Sequence, residues 1–294
     1  MRGAGYLNPM YKYKPALSFE FFPARTDQGA QGLMKTVRDL AALDPVYMTV
    51  TFGAGGGGRE GTLETLKALQ SVTDVPLGSH LTYICLTKAE LSAYLETLWA
   101  GGVKHIVALR GDMPKDQADV KWPLDPDLNY YQYTSDFVEG IRAQHPFEIS
   151  VGAYPEKHPD APSLESDIEA LKKKCDAGAT RAITQFFFNN DSYYRFLDKV
   201  RAAGISTPVV PGILPVYDFK GMLKFAKNCH AHVPPWVHEK FDGLDGRPEE
   251  ALKIAEGLLT AQCRDLMDHD VPHFHFYTMN KPELPLKVCK TLGF

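Results

Sequence analysis

Glu20 lies between two phenylalanines in the segment SFEFFP, residues 18–23. Successive side chains of a β-strand point to opposite faces, so Glu20 points away from both Phe19 and Phe21. A buried carboxylate without a partner is costly and tends to hold a proton instead. The segment leaves two interpretations open: a glutamate that faces water from an edge strand, as most glutamates do, or an acid in a partly apolar cavity.

Further polar residues stand at or just after the ends of other strand-like segments. Glu20 and Asp112 could divide an acid role and an electrostatic role, because carboxylates in different environments acquire different pKa values. The sequence shows neither a Ser-His-Asp order nor the His and carboxylate spacing of a zinc site, so we expect no metal. The other polar residues at these strand ends are Thr51, His80, Arg110, Tyr154, His158, Gln185, Tyr277 and Lys281.

Three consecutive lysines, Lys172, Lys173 and Lys174, follow Asp167 in the helical segment SLESDIEALKKKCDAG. Such a helix face could hold the ribose and diphosphate groups of a ligand, although a solvated lysine face would look the same. The glycine-rich segment FGAGGGGRE lacks the Lys-Ser/Thr pair of a P-loop and gives only a weak phosphate signal.

Strand-like and helix-like segments alternate along the chain. The helical segments carry one apolar face, and the strands are rich in β-branched and aromatic residues. The predicted strands cover residues 16–22, 46–53, 76–84, 103–112, 147–155, 181–188, 208–214 and 273–278. The predicted helices cover about 28–43, 61–72, 87–102, 135–143, 163–178, 191–204, 219–229 and 248–268, with insertions at 113–130 and 231–247.

Eight alternating units in 294 residues predict a single α/β domain, a (β/α)8 TIM barrel over residues 1–294 with an N-terminal extension at 1–15. An open doubly wound sheet is the alternative, but no GxGxxG turn follows any strand. In a barrel the active site lies at the C-terminal ends of the strands. The polar strand-end residues would then converge in one bowl, which favours a chemical role for Glu20.

The bulk composition excludes several classes of function. The formal net charge of −4 gives no electrostatic reason to bind nucleic acid or an acidic membrane surface. No apolar run has the length of a transmembrane helix. The five cysteines form no CxxC pair, which fits a reducing cytoplasm. We therefore expect a cytoplasmic protein with no nucleic-acid or membrane partner.

Many of these segments resemble motifs of the flavin-dependent methylenetetrahydrofolate reductase family, in the order of that family. The resemblance runs from about Ser18 to Phe294, and RAITQFFF, PGILPV and FHFYTMN are its most specific parts. It favours the short bacterial form of the family. The remaining motifs are SFEFFP, VTFGAG, HLTYI, HIVALRGDMP, VGAYPEKHPDA, the DAGAT that precedes RAITQFFF, and FDGLD.

The resemblance implies a reaction. FAD would bind at the C-terminal face of the barrel and be reduced by NADH or NADPH. Methylenetetrahydrofolate would then enter the same space and be reduced to 5-methyltetrahydrofolate, in a ping-pong reaction that supplies methyl groups for methionine synthesis. Opening the folate ring needs an acid, and the acid of the family matches Glu20, for which we expect a raised pKa in its apolar setting. The resemblance also leads us to expect a homo-oligomer.

The resemblance assigns further site residues. Asp112 matches an aspartate near both flavin and pterin, Gln185 a residue that contacts folate and nicotinamide in turn, and Phe225 an aromatic that packs on the ligand. Ala170 stands where some relatives have an asparagine near the adenosine part of FAD, and Gly221 where some have a glutamine near the substrate. Lys281, also implied for the substrate, stands where some have an arginine. The residues implied for FAD are Thr51, Ala54, His80, Arg110, Gly111, Asp112, Tyr133, Tyr154, His158, Asp167, Lys173 and Lys174.

Two other hypotheses stay open on the sequence. One is a flavin-free carbon–carbon lyase or hydrolase that uses Glu20 and Asp112. The other is a folate- or flavin-binding protein without catalytic activity.

Overall fold

The computed structural model describes residues 14–52, 58–112 and 129–294. Ala54, which the sequence assigns to the cofactor, lies outside these residues, as does most of the predicted N-terminal extension.

The strands of the described residues form one parallel sheet in the order β7-β6-β5-β4-β3-β2-β1-β9-β8. Each neighbouring pair is parallel, so paired strands that follow one another in the chain are joined by crossover connections, which here contain helices. The strands are β1 Ala16–Phe21, β2 Tyr47–Val50, β3 Leu77–Thr82, β4 His105–Leu109, β5 Glu148–Ala153, β6 Arg181–Thr184, β7 Val209–Val210, β8 Gly212–Ile213 and β9 His273–Tyr277.

The single strand predicted at 208–214 is divided at Pro211. Val210 on one side of the proline pairs with β6, and Gly212 on the other pairs with β9. Proline has no N–H to donate to a ladder, so it interrupts the pairing, while its carbonyl still accepts a bond from the backbone of His275. The two short strands occupy one barrel position and bring β6 and β9 together. The (β/α)8 prediction is confirmed.

The helices pack outside the strands. Thr87 caps α3, with its side chain accepting from the Glu90 backbone and the Glu90 carboxylate accepting in return. The helices are α1 Asp27–Ala41, α2 Gly58–Gln70, α3 Lys88–Ala100, α4 Thr134–Gln144, α5 Leu164–Asp176, α6 Asn190–Ala202, α7 Phe219–Asn228, α8 Pro235–Phe241, α9 Pro248–Asp268 and α10 Glu283–Leu292. Two helices were not predicted from the sequence: α8, which lies in a predicted insertion, and α10.

The first strand lies inside the sheet, between β2 and β9. Glu20 is paired in register with Thr49 on one side and Tyr277 on the other. Phe19 and Phe21 are fully buried in the hydrophobic core, as the alternation predicted. The interpretation of Glu20 as a water-facing glutamate on an edge strand is therefore wrong.

No helix within the described ranges combines the length and apolar character that crossing a membrane requires.

Candidate active site

A cavity of about 570 Å³ opens at the C-terminal ends of the strands. Its floor carries Glu20, and its rim carries Asp112. Strands β1, β3, β4, β5 and β6 and helix α7 all contribute side chains, so the closed barrel brings together residues distant in sequence. The predicted site residues that line it are Glu20, Thr51, His80, Arg110, Gly111, Asp112, Tyr154, His158, Gln185 and Phe225.

A second cavity, of about 630 Å³, adjoins the first along helix α5. The two cavities share Leu109, Arg110, Gly152, Tyr154 and His158, so together they form one elongated site. The predicted residues that line this second part are Arg110, Tyr133, Tyr154, His158, Asp167, Lys173 and Lys174.

Glu20 belongs to a cluster with two histidines. Its Oε2 atom lies 3.1 Å from Nε2 of His80 and 3.5 Å from Nε2 of His275. Burial alone would raise the pKa of Glu20, but the two imidazoles favour the carboxylate, His80 more strongly, and lower that pKa to about 2. The raised pKa that the sequence led us to expect is therefore wrong. Glu20 is therefore an ionised group beside two imidazoles.

The cluster continues into the barrel below Glu20. Nδ1 of His275 lies 2.8 Å from the Ser18 hydroxyl, and Nε2 of His273 lies 2.9 Å from the same hydroxyl. Burial lowers the pKa of His275, with Glu20 opposing that shift. The sequence analysis did not single out His275. The alternation in HFHFYT could have revealed it, since it places His275 and Tyr277 on one face of the strand.

The end of β4 turns sharply to present Asp112. Gly111 has a φ of +88°, a conformation that L-residues rarely adopt. A Cβ at this position would lie 2.8 Å from the Cβ of Thr82. Glycine is thus required between Arg110 and Asp112. Arg110 Nη1 donates to Oδ2 of Asp160 at 3.0 Å, a contact between exposed side chains that the sequence did not predict.

The loop after β5 is tied to helix α5. The buried Asp167 accepts a hydrogen bond from the backbone of His158 at 2.8 Å. Lys174 donates to the carbonyl of Gly152 at 2.6 Å, and burial lowers the pKa of its ammonium, with Asp167 opposing. The lysine face of α5 therefore divides: Lys174 holds β5 to the helix, while Lys173 is exposed beside the cavity.

Aromatic rings form one wall of the cavity at the barrel mouth. Phe186 stacks on Phe225 with centroids 5.5 Å apart and meets Tyr277 edge-on at 6.3 Å. The Tyr277 hydroxyl donates to the carbonyl of Thr184 at 2.7 Å. This wall suits a flat ring in the cavity. Gln185 lies beside it, with its Oε1 accepting from the backbone of Phe186.

One predicted substrate residue lies apart from this site. Lys281 is exposed, its ammonium lies 5.0 Å from the ring centroid of Tyr217, and it does not line either cavity.

The residues of the elongated site fit a dinucleotide cofactor. At the barrel mouth, Thr51 Oγ1 is buried and has no hydrogen-bond partner among the described residues, so a polar ligand atom would satisfy it. The aromatic wall and Arg110 line the same cavity as Thr51, and Lys173 supplies positive charge in the part of the site along α5. A flat ring at the mouth with an anionic chain toward α5 would match this donor set.

Together, the closed barrel and the elongated site at its C-terminal face define a (β/α)8-barrel protein with a largely buried carboxylate at the floor of its site. The sequence profile of the family described as methylenetetrahydrofolate reductase matches residues 7–293. The chain belongs to this family.

Individual relatives agree with this assignment. The chain is 41% identical to 5,10-methylenetetrahydrofolate reductase of Pectobacterium carotovorum over 277 residues, 94% of this chain and 90% of that protein. The same values hold for 5,10-methylenetetrahydrofolate reductase of Escherichia coli K12. A solved structure of an uncharacterised Clostridium thermocellum protein, described as binding two copies of 5-methyl-5,6,7,8-tetrahydrofolic acid, shares the fold. Its TM-score is 0.66 at 13% identity, over 95% of this chain and 94% of the other.

Two partly buried histidines, His105 and His273, should make the protein acid-sensitive from about pH 6.5 downward. Burial lowers the pKa of His105 to about 4 and that of His273 to about 3, against 6.5 for an unperturbed histidine. Below pH 6.5 the unfolded chain binds protons that the folded protein does not, so stability is full above 6.5 and falls as the pH drops toward the folded values. Glu20 adds a loss between 4.5 and about 2. Thermal unfolding between pH 7.5 and 4.5 should show a decreasing Tm.

The matched variants are His273→Gln and, at an exposed site, His238→Gln. His273→Gln should flatten the decrease in Tm and His238→Gln should not. A Tm that stays constant over this range would contradict the assignment.

Proposed function

We propose that the chain reduces 5,10-methylenetetrahydrofolate to 5-methyltetrahydrofolate, with FAD as bound cofactor and NADH or NADPH as electron donor. The nicotinamide and the folate use the same cavity in turn, in a ping-pong reaction that supplies methyl groups for methionine synthesis. A cytoplasmic location and a homo-oligomeric state belong to the same proposal.

The observation that carries the proposal is the placement of Glu20 and its two histidines at the floor of the elongated site. The relatives named above support folate as the substrate, and the two joined cavities support a cofactor with a ring and a long anionic chain. When bound, the flavin would accept a hydride from the nicotinamide and pass it to the methylene carbon of the folate.

The protein supplies the proton in this proposal. Opening the five-membered folate ring requires a proton on a folate nitrogen, and Glu20 faces the cavity where that nitrogen would lie. A folate that fills the cavity would remove the remaining solvent contact of the carboxylate, whose side chain is 12% exposed. That change raises the pKa of Glu20 and favours the uptake of a proton from solvent as the folate enters, which the carboxyl group then donates to the folate nitrogen.

The other residues bind and orient. Asp112 at the rim would accept the N–H groups of the pterin, and Gln185 would contact each ring that enters. Phe225 and Phe186 would cover the ring from the side. Along α5, Asp167, Lys173 and Lys174 would shape the cofactor end of the site, which Tyr133 and His158 would enclose. At the barrel mouth, the cofactor would be enclosed by Thr51, His80 and Tyr154.

The purified protein should be yellow, or become so with added FAD. Denaturation should release a flavin that carries an adenine, identified by mass spectrometry. Anaerobic NADH or NADPH should bleach the flavin, and methylenetetrahydrofolate should restore its colour. Protein that cannot be reconstituted with FAD would point instead to a flavin-free lyase or hydrolase, and flavin binding without turnover to a binding protein.

A further inference from the structure

The loop between β5 and α5 is held by the ammonium of Lys157. Lys157 Nζ donates to the carbonyl oxygens of His158 at 2.9 Å, Pro159 at 3.4 Å and Ala161 at 2.6 Å. A lysine ammonium has three N–H donors, and here they meet three carbonyls of one short turn. The side chain thus closes the turn from within.

The backbone at Lys157 adopts a conformation that favours glycine. Its φ is +79°, in the left-handed region. A lysine is held there at a cost, which the hydrogen bonds of the ammonium can offset. Lys157 therefore contributes to this turn through its side chain and not through its backbone.

The turn places two residues where the cavities meet. The His158 backbone N–H donates to Asp167, the Asp160 N–H donates to Nδ1 of His158 at 3.1 Å, and the Ala161 N–H donates to the carbonyl of His158 at 3.0 Å. Asp160 in turn accepts from Arg110. His158 lines both cavities, so the shape of the turn fixes the junction between them.

We propose that Lys157 is a positioning residue for the elongated site. It lines neither cavity and acts through His158 and Asp160, by keeping residues 157–161 in the shape that encloses the ligand. The inference rests on the proposed function in taking FAD as that ligand.

Three variants separate the ammonium from the backbone. Lys157→Met keeps the stem and the unfavourable φ but removes the donors. Lys157→Gly removes the donors and relieves the φ. Lys157→Arg keeps a cationic donor. Lys172→Met is the matched control, because Lys172 pairs with the exposed Asp176 on the same helix–loop unit and does not line the cofactor cavity.

The first measurement is amide hydrogen exchange at His158, Asp160 and Ala161, the three N–H groups of residues 158–161, without added flavin and with Tm measured alongside. The second is the FAD dissociation constant, from fluorescence titration of protein freed of flavin. Lys157→Met and Lys157→Gly should both speed exchange in the turn and weaken FAD about tenfold. Lys157→Arg should recover part of the loss, and Lys172→Met should match wild type.

Two results would overturn the inference. One is a Lys157→Gly variant that binds FAD as wild type does, since the backbone alone would then set the turn. The other is unchanged exchange at residues 158–161 in Lys157→Met. That result would contradict the inference even if the Tm of this variant were lower, as would an unchanged FAD affinity. If the wild-type protein binds no FAD, the proposed function fails. Amide hydrogen exchange would then still decide whether Lys157 orders the turn at residues 157–161.

Discussion

Replacing Glu20 with glutamine should block the reduction of methylenetetrahydrofolate and leave the reduction of flavin by NADH or NADPH largely intact. Glutamine keeps the shape of the side chain but cannot pass on an acidic proton. Ring opening of the folate needs that proton, whereas hydride transfer to the flavin needs only a stacked donor. General acids contribute roughly 10²–10⁴-fold, so the folate half-reaction should slow by at least about 100-fold. Stopped-flow absorbance measures the two half-reactions separately.

The control is Glu148→Gln, because Glu148 lies at the N-terminal end of strand β5, whereas the candidate site lies at the C-terminal ends of the strands. Glu148 is exposed, and Oε2 of its carboxylate lies 3.9 Å from Nη2 of Arg181. This variant should leave both half-reactions near wild type. Equal losses in both half-reactions of Glu20→Gln would show that Glu20 maintains the site rather than delivering a proton.

Asp112→Asn should raise the flavin reduction potential and weaken folate binding. The carboxylate lies at the rim of the cavity, directly after the turn at Gly111, where the ring system would lie. A negative charge there opposes the formation of an anionic reduced flavin, so its removal makes reduction easier. The variant also turns one acceptor for the pterin N–H groups into a donor. A hydrogen bond to a charged group contributes on the order of 1.5–3 kcal/mol, so folate affinity should fall by about tenfold or more.

Potentiometric titration and folate binding test this expectation. Asp176→Asn is the matched control, because Asp176 is exposed and pairs with Lys172 on the outside of α5. It removes the same charge away from the cavity and should change neither quantity. If Asp112→Asn also left the flavin reduction potential and the folate affinity unchanged, the role of Asp112 would be limited to stabilising the turn that follows β4.

The alternation of strands and helices was sufficient to predict the barrel. A closed parallel sheet then places all strand ends on one rim, which is why Glu20, His80, Arg110 and Gln185 could be assigned to one site before their distances were known. The sequence was less informative about the strand at 208–214. The interruption at Pro211 depends on which neighbours the strand pairs with, and α10 becomes evident only as the helix that follows β9.

Local sequence determined the side of the strand on which Glu20 lies, because the two-residue period of a strand is a property of the backbone. It did not determine the charge of Glu20. That charge depends on His80 from β3 and His275 from β9, and electrostatic interactions act through space between groups that only the closed barrel brings within 3.1 and 3.5 Å. The pairing of Asp160 with Arg110, fifty residues apart in the chain, is set in the same way. The sequence therefore determined the fold and most of the residues around the cavity, and the tertiary structure decided their ionisation and their partners.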